Sequence, residues 1–139
     1  MNLQNQIKVF KSLYDVSRET IEKLSLYEKL IIKNQKKINL IGRSTMDNIW
    51  LRHFADSAKI FNIVKNIYTK SNKDSLSFID EGSGAGFPGV IINTMAEAEK
   101  MVIKTYLIDS NKKKCGFLES IKNELQLSFD VLNERSEDI

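Results

Sequence analysis

Apolar residues recur every three or four positions through the first 68 residues of this chain, which is the period of an amphipathic helix. Ser17 is a residue type that caps helices, and a helix is predicted from it to about Lys36. A second helix is predicted to begin at Ser44, where Asp47 completes a capping box. The pattern therefore predicts a helical N-terminal segment.

A polar stretch at residues 69–77 separates this segment from a different pattern. Short apolar runs typical of strands lie at 76–80, 101–108 and 129–132, and helical patterns lie between them at 88–95 and 111–125. Alternating strands and helices predict a parallel sheet covered by helices. We therefore expect a helical extension over 1–75 and an α/β part over 76–139.

The end of the first predicted strand carries the chain's most informative motif, Phe-Ile-Asp-Glu-Gly-Ser-Gly-Ala-Gly-Phe-Pro-Gly at residues 78–89. Glycines at 82, 84 and 86 permit backbone conformations that other residues avoid and let a ligand approach the main chain closely. Pro88 suits the first turn of a helix. The motif predicts a strand, a nucleotide-binding turn and a helix.

Two ligand classes fit this glycine turn. Gly84, Gly86 and Gly89 form the G-x-G-x-x-G dinucleotide pattern, whereas Asp80 with Gly82, Gly84 and Gly86 resembles the first motif of Rossmann-like S-adenosylmethionine-dependent methyltransferases. The pyrophosphate of a dinucleotide would be repelled by the carboxylates of Asp80 and Glu81. The sulfonium and ammonium groups of S-adenosylmethionine would be attracted to them. We therefore favour S-adenosylmethionine. An NAD-dependent oxidoreductase, or a turn that binds nothing, remains the alternative.

A second acid, Asp109, ends the next predicted strand 23 residues after Gly86. A carboxylate at that strand's tip is placed to accept hydrogen bonds from ribose hydroxyls, in either cofactor. The alternative is structural, because Asp109 or Ser110 could cap the following helix. We predict the ligand role.

Charge is unevenly distributed along the chain. Residues 1–75 hold 14 Lys/Arg and 7 Asp/Glu, a net charge of +7, whereas residues 76–139 hold 7 and 11, a net charge of −4. The basic half indicates a polyanionic partner or a lysine-rich solvated surface. No apolar run is long enough to span a bilayer, no secretion signal is recognisable, and the lone Cys115 suggests neither disulfide nor metal site. We expect a cytoplasmic protein without a metal.

His53 is the only histidine, and it lies on the apolar face of the second predicted helix. A histidine in that position is more often a hydrogen-bonded core residue than a catalyst. The adjacent Arg52 is four residues from Asp56, a spacing that allows only a weak surface ion pair. Neither residue demands a function on this reasoning alone.

Several motifs together, however, resemble one family. The chain carries Asn-Leu-Ile at 39–41, Arg-His-x-x-Asp-Ser at 52–57, the proline-containing glycine turn, and Leu-Ile-Asp-Ser followed by Lys112 and Lys113. In this order they resemble the ribosomal RNA small subunit methyltransferase G family, also called glucose-inhibited division protein B. The resemblance covers almost the whole chain.

This resemblance implies a Rossmann-like methyltransferase sheet, with its first three strands present, behind a helical extension. It implies a transferase of class EC 2.1.1 that uses S-adenosylmethionine to methylate N7 of one guanine in 16S ribosomal RNA of the small ribosomal subunit. No catalytic side chain is expected, since that nitrogen has a free lone pair. We further expect a monomer that contacts no membrane.

The resemblance also assigns residues. It places cofactor contacts at Gly82 and Phe87 and, more loosely, near the adenine at Ser136 and Glu137, beside the contacts predicted above from the motif at Gly84, Gly86 and Asp109. It makes Arg52 and His53 candidates for contacting RNA or the domain interface, and Lys112 and Lys113 candidates for phosphate contact.

The family's catalytic domain continues well beyond the third strand, with four further strands. By analogy the fourth would pair with the first, so residues 76–80 would form an exposed edge. We therefore expect the 139-residue chain to bind the methyl donor weakly and to methylate poorly or not at all. The alternative function is an inactive relic that binds RNA or assists ribosome assembly.

Overall fold

A computed structural model of the chain describes residues 1–135 and 137. The helices are α1 (Leu3–Leu13), α2 (Arg18–Gln35), a 3₁₀ helix (Arg43–Asn48), a π-helical turn (Trp50–Phe54), α3 (Ala55–Ser71), α4 (Gly89–Ala98) and α5 (Lys112–Leu125). The strands are β1 (Leu76–Glu81), β2 (Ile103–Ile108) and β3 (Asp130–Leu132).

The predicted helix start at Ser17 is confirmed, because its hydroxyl accepts a hydrogen bond from the Thr20 amide. The capping box at Ser44 is wrong. Gly42 precedes a 3₁₀ helix there, no side chain caps that helix, and the amide and hydroxyl of Thr45 both donate to the Gly42 carbonyl. The continuous helix expected from Ser44 is thus a 3₁₀ helix, a π turn and then α3.

All three strands run parallel in the order β1-β2-β3, so β1 is one edge of the described sheet. In the register, Leu76 faces Ile103 and Glu81 faces Ile108, so the carboxyl ends of β1 and β2 lie side by side. The polar connection before β1 is shorter than predicted, since α3 continues to Ser71. Ligands of open parallel sheets bind at these carboxyl ends.

One continuous apolar core extends from the N-terminal helices to the sheet. Helix α2 packs against α4 and α5, α3 packs against α4, and α4 packs against β1 and β2. The fully buried aromatic residues of the N-terminal segment are Phe10, Tyr27, Trp50, Phe54 and Phe61. The N-terminal helices therefore rest on the helices that cover the sheet, and a division between residues 1–75 and 76–139 stays a prediction.

Candidate functional site

The glycine turn connects β1 to α4 at the carboxyl end of the sheet. Gly82, Gly84 and Gly86 have φ values of 68°, 57° and 105°, a region that residues with a Cβ rarely adopt. The amides of Gly82 and Ser83 donate to the Ile108 carbonyl at 2.8 and 3.0 Å, which fixes the turn over the end of β2. The sequence prediction of a strand, a turn and a helix is confirmed.

Two glycines of the turn differ in what surrounds them. A Cβ on Gly86 would lie 2.6 Å from both the Tyr27 hydroxyl and the Val90 Cγ2, whereas a Cβ on Gly82 would meet no atom within 4 Å. Gly86 is therefore required for close packing against α2. Gly82 borders open space and is the glycine that leaves room for a ligand.

Asp80 lies beneath the turn. Its carboxylate Oδ2 accepts hydrogen bonds from the Ser83 hydroxyl at 3.1 Å and from the Gly89 amide at 3.0 Å, and the residue is only 7% exposed. Burial raises the pKa of Asp80, while the two hydrogen bonds oppose this shift. Asp80 thus holds the start of α4 and places a carboxylate beneath the turn.

Asp109 joins the turn to the end of β2. Its Oδ2 accepts from the Gly84 amide at 2.9 Å, and its Oδ1 accepts from the Asn111 amide at 2.8 Å. The cap of α5 is Asn111, whose side chain accepts from the Lys114 amide, so the proposed capping by Asp109 or Ser110 is wrong. Among the described residues each oxygen accepts one hydrogen bond, so the half-buried carboxylate has a further lone pair on each oxygen.

A cavity of about 300 Å³ opens at this end of the sheet. It is lined by Gly82, Ile108, Asp109, Ser110, Glu134, Arg135 and Glu137. Three of the predicted cofactor residues, Gly82, Asp109 and Glu137, are thus brought together here. Ser136, the remaining predicted adenine neighbour, lies outside the described residues.

Phe87 does not line this cavity; its ring belongs to an aromatic cluster shared with the N-terminal helices. It stacks on His53 with ring centroids 4.8 Å apart and planes 9° apart, and it also contacts Tyr27 and Phe54. The Nε2 of His53 lies 2.8 Å from the Thr45 hydroxyl. Burial lowers the pKa of His53, which favours the neutral form of the ring.

His53 therefore occupies the interface between the N-terminal helices and the glycine turn, one of its two proposed places. Arg52 beside it is exposed. Lys112 and Lys113 are also exposed, in the first turn of α5, and neither lines the cavity. Contact of these residues with RNA stays a prediction.

Sequence reasoning missed one residue of this region. The sequence does not single out Tyr27, yet its buried hydroxyl donates to the Ala85 carbonyl in the turn at 2.6 Å. Burial raises the pKa of Tyr27 well above its ordinary value, with a smaller contribution from Asp80. A tyrosine within a stripe of Leu and Ile was the available signal, because a buried hydroxyl needs a partner.

Comparison with known proteins identifies the chain's family. The family model described as rRNA small subunit methyltransferase G (GidB) matches residues 20–139. This chain belongs to the rRNA small subunit methyltransferase G family. The resemblance expected from the sequence, and the Rossmann-like arrangement it implied, are both confirmed.

Three curated relatives are named "Ribosomal RNA small subunit methyltransferase G". The protein from Jannaschia sp. is 39% identical over 89% of this chain and 56% of its own length. The protein from Cereibacter sphaeroides is 42% identical over 90% of this chain and 57% of its own length. The protein from Rickettsia akari is 35% identical over 90% of this chain and 59% of its own length. The chain therefore spans somewhat more than half the length of these relatives.

Within residues 1–135 and 137, no helix combines the length and apolar character that crossing a bilayer would require.

Proposed function

We propose that this chain forms the methyl-donor half of an enzyme that transfers a methyl group from S-adenosylmethionine to N7 of a guanine in 16S ribosomal RNA. The names of its relatives support an action on small-subunit ribosomal RNA. The observation that carries the proposal is the Asp109 carboxylate, held against the Gly84 amide at the edge of the cavity that Gly82 leaves open.

The residues around this cavity fit S-adenosylmethionine. Three carboxylates, of Asp109, Glu134 and Glu137, line it with one cation, Arg135, and the carboxylate of Asp80 lies beneath the turn. A pyrophosphate would meet this excess of negative charge, whereas a sulfonium and an ammonium are attracted to it. A volume of about 300 Å³ lies at the lower end of the range for small-molecule sites.

Each residue then has a defined task. Asp109 accepts hydrogen bonds from ribose hydroxyls through the lone pairs that its two backbone partners leave free. The resemblance implies that Glu137, which lines the cavity, contacts the adenine, and it assigns Ser136 the same role. Gly82 provides the open approach to the main chain, and Gly84 fixes the carboxylate.

The chemistry asks little of the side chains. When bound, S-adenosylmethionine supplies an electrophilic methyl group on its sulfonium. Guanine N7 has an exposed lone pair and no proton to remove, so no general base is needed. The protein must hold the nucleophile in line at about 3–3.5 Å, which is a task of positioning. We propose that this takes place in the cytoplasm on an unpaired or remodelled RNA site, because side chains cannot read the deep groove of A-form RNA.

Titration calorimetry with S-adenosylmethionine tests the donor site. The carboxylate oxygens of Asp109 accept from the amides of Gly84 and Asn111. In the Asp109→Asn variant one of these oxygens becomes an NH₂ group, which would face a backbone N–H and cannot accept from it. We expect binding to weaken about tenfold or more, since hydrogen bonds to charged groups contribute about 1.5–3 kcal/mol. Asp74→Asn, in the connection before β1, removes the same charge far from the cavity and should leave the affinity unchanged.

The results separate the candidate functions. Binding of NADH in preference to S-adenosylmethionine would make the chain an oxidoreductase module and refute the proposal. Binding of neither, with RNA binding retained, would favour the inactive relic. Mass mapping of N7-methylguanine in 16S ribosomal RNA, from cells with and without the gene, tests the reaction itself.

A further inference from the structure

An open groove of about 630 Å³ lies in the N-terminal segment, at the carboxyl end of α2. Its charged side chains are Lys36, Lys37 and Arg43, its polar ones are Gln35 and Asn39, and its apolar floor is Ile32 and Met46. We call it the basic groove. None of its residues belongs to the 300 Å³ cavity at the carboxyl end of the sheet.

The wall of the basic groove is built by one glutamine. The Oε1 of Gln35 accepts from the amides of Leu40 and Ile41, both at 3.0 Å. Its Nε2 donates to the Ile41 carbonyl at 2.7 Å and to the Asn39 Oδ1 at 3.2 Å. The side chain therefore uses its full hydrogen-bonding capacity on residues 39–41, which fixes the loop between the two lysines and Arg43.

The charge in the basic groove is of one sign. Lys36, Lys37 and Arg43 are all exposed, and none of the described aspartates and glutamates lines the groove with them. The ion pairs found in the described part of the chain do not include these three residues. Three cations around one concave surface produce a focused positive potential, which attracts phosphate groups.

The basic groove is also connected to the glycine turn through short contacts. Arg43 begins the 3₁₀ helix that carries Thr45, and the Thr45 hydroxyl lies 2.8 Å from Nε2 of His53. The His53 ring in turn stacks on Phe87 of the turn. A polymer anchored in the groove therefore lies on the same rigid support as the donor site.

We propose that the basic groove binds the phosphate backbone of the substrate RNA and so positions the strand relative to the donor site. This inference rests on the proposed function, since it takes RNA as the substrate. Arg43 offers a planar fork that matches a phosphate, and the two lysines add point charges. Phosphate contacts of this kind fix orientation without reading sequence, and the apolar floor suits a sugar or base edge.

Fluorescence anisotropy with a labelled single-stranded RNA of about 20 nucleotides, longer than one small binding site, tests the groove in the whole chain. The groove variant is Lys36→Gln/Lys37→Gln/Arg43→Gln. Its control is Lys59→Gln/Lys70→Gln/Lys73→Gln, which removes three exposed lysines outside the groove. Both variants change the net charge equally, and circular dichroism establishes that both are folded.

We expect the groove variant to bind RNA about tenfold more weakly at moderate salt, while the control loses at most about twofold. The slope of log affinity against log salt should fall by about two in the groove variant, since each lost contact with a single strand removes about 0.7. Arg43→Lys should retain the slope and lose part of the affinity, because the charge remains and the fork is lost.

Equal losses of RNA affinity in the groove and control variants would refute the proposal, because positive charge would then attract RNA without a defined site. Failure of the parent chain to bind RNA would refute it as well. Tighter binding of a polyglutamate peptide than of RNA would replace it with an acidic protein partner. If the parent chain did not bind S-adenosylmethionine but the groove variant still bound RNA more weakly than the control, only the proposed function would be refuted.

Discussion

Gly86→Ala tests the claim that the glycine turn is pressed against the N-terminal helices. Gly86 has a φ of 105°, and holding an alanine in such a sparsely populated region costs about 1–3 kcal/mol. The new Cβ would also lie 2.6 Å from the Tyr27 hydroxyl and 3.1 Å from the Leu118 Cδ2, and relieving such overpacking costs about 1–3 kcal/mol more. The sum is about 2–6 kcal/mol, and only its upper end reaches the roughly 5–15 kcal/mol by which native domains are stable.

Two other glycines separate these contributions. Gly82 has a φ of 68° but open space around it, so Gly82→Ala should cost only the conformational strain of about 1–2 kcal/mol. Gly116 lies within α5 with no atom near its missing side chain, so Gly116→Ala should stabilise the chain by about 0.5–1 kcal/mol.

Urea unfolding followed by circular dichroism measures the free energy of unfolding of all three variants. The expected order of stability is Gly116→Ala, parent, Gly82→Ala and then Gly86→Ala. If Gly86→Ala were no less stable than Gly82→Ala, the packing of α2 against the turn would be refuted. An unfolded Gly86→Ala chain would agree with the upper end of the estimate.

Three further predictions concern Tyr27, His53 and Glu28, the last a buried residue of α2. Tyr27→Phe leaves the buried Ala85 carbonyl without its partner and should lower the free energy of unfolding by about 1–3 kcal/mol, measured in urea; no change would show that the hydroxyl is dispensable. Burial lowers the pKa of His53, so the parent should lose stability as pH falls below the ordinary value of 6.5. The His53→Phe variant should lose less thermal stability than the parent between pH 7 and 5, measured by thermal unfolding. Burial raises the pKa of Glu28, so Glu28→Gln should be more stable than the parent at pH 7, and this advantage should vanish below the ordinary value of 4.5; an advantage independent of pH would contradict the assignment.

Sequence reasoning succeeded where the signal is local. The strands, the glycine turn and the acid at Asp109 were all predicted from a few adjacent residues, because backbone freedom and strand periodicity are properties of short segments. The helix from Ser17 was predicted for the same reason, since its cap and its apolar stripe lie close together. The hydrogen bond from Gly84 to Asp109 was not predicted; it forms because neighbouring strand ends meet in a parallel sheet.

Sequence reasoning failed where contacts between distant segments decide the structure. The hydrogen bond from Tyr27 to Ala85 joins residues 58 apart, and no local pattern identifies such a partner. The segment after Gly42 has the composition of an α-helix start, yet it forms a 3₁₀ helix and a π turn. That path buries Trp50 and Phe54 and places His53 on Phe87, and these tertiary contacts outweigh local propensity.

These long-range contacts bear on how donor and RNA could be brought together. The turn is held on one side by Asp109 and on the other by Tyr27 and His53, so its geometry depends on α2 and on the π turn as much as on the sheet. Direct displacement at a methyl group tolerates little misplacement, and an error of about 1 Å can cost about a hundredfold in rate. The basic groove is built on α2 and on the 3₁₀ helix that precedes the π turn, so it would share one rigid frame with the glycine turn. On this reasoning the N-terminal segment is a structural part of the proposed donor site, and an RNA strand held in the proposed basic groove would be fixed relative to that site.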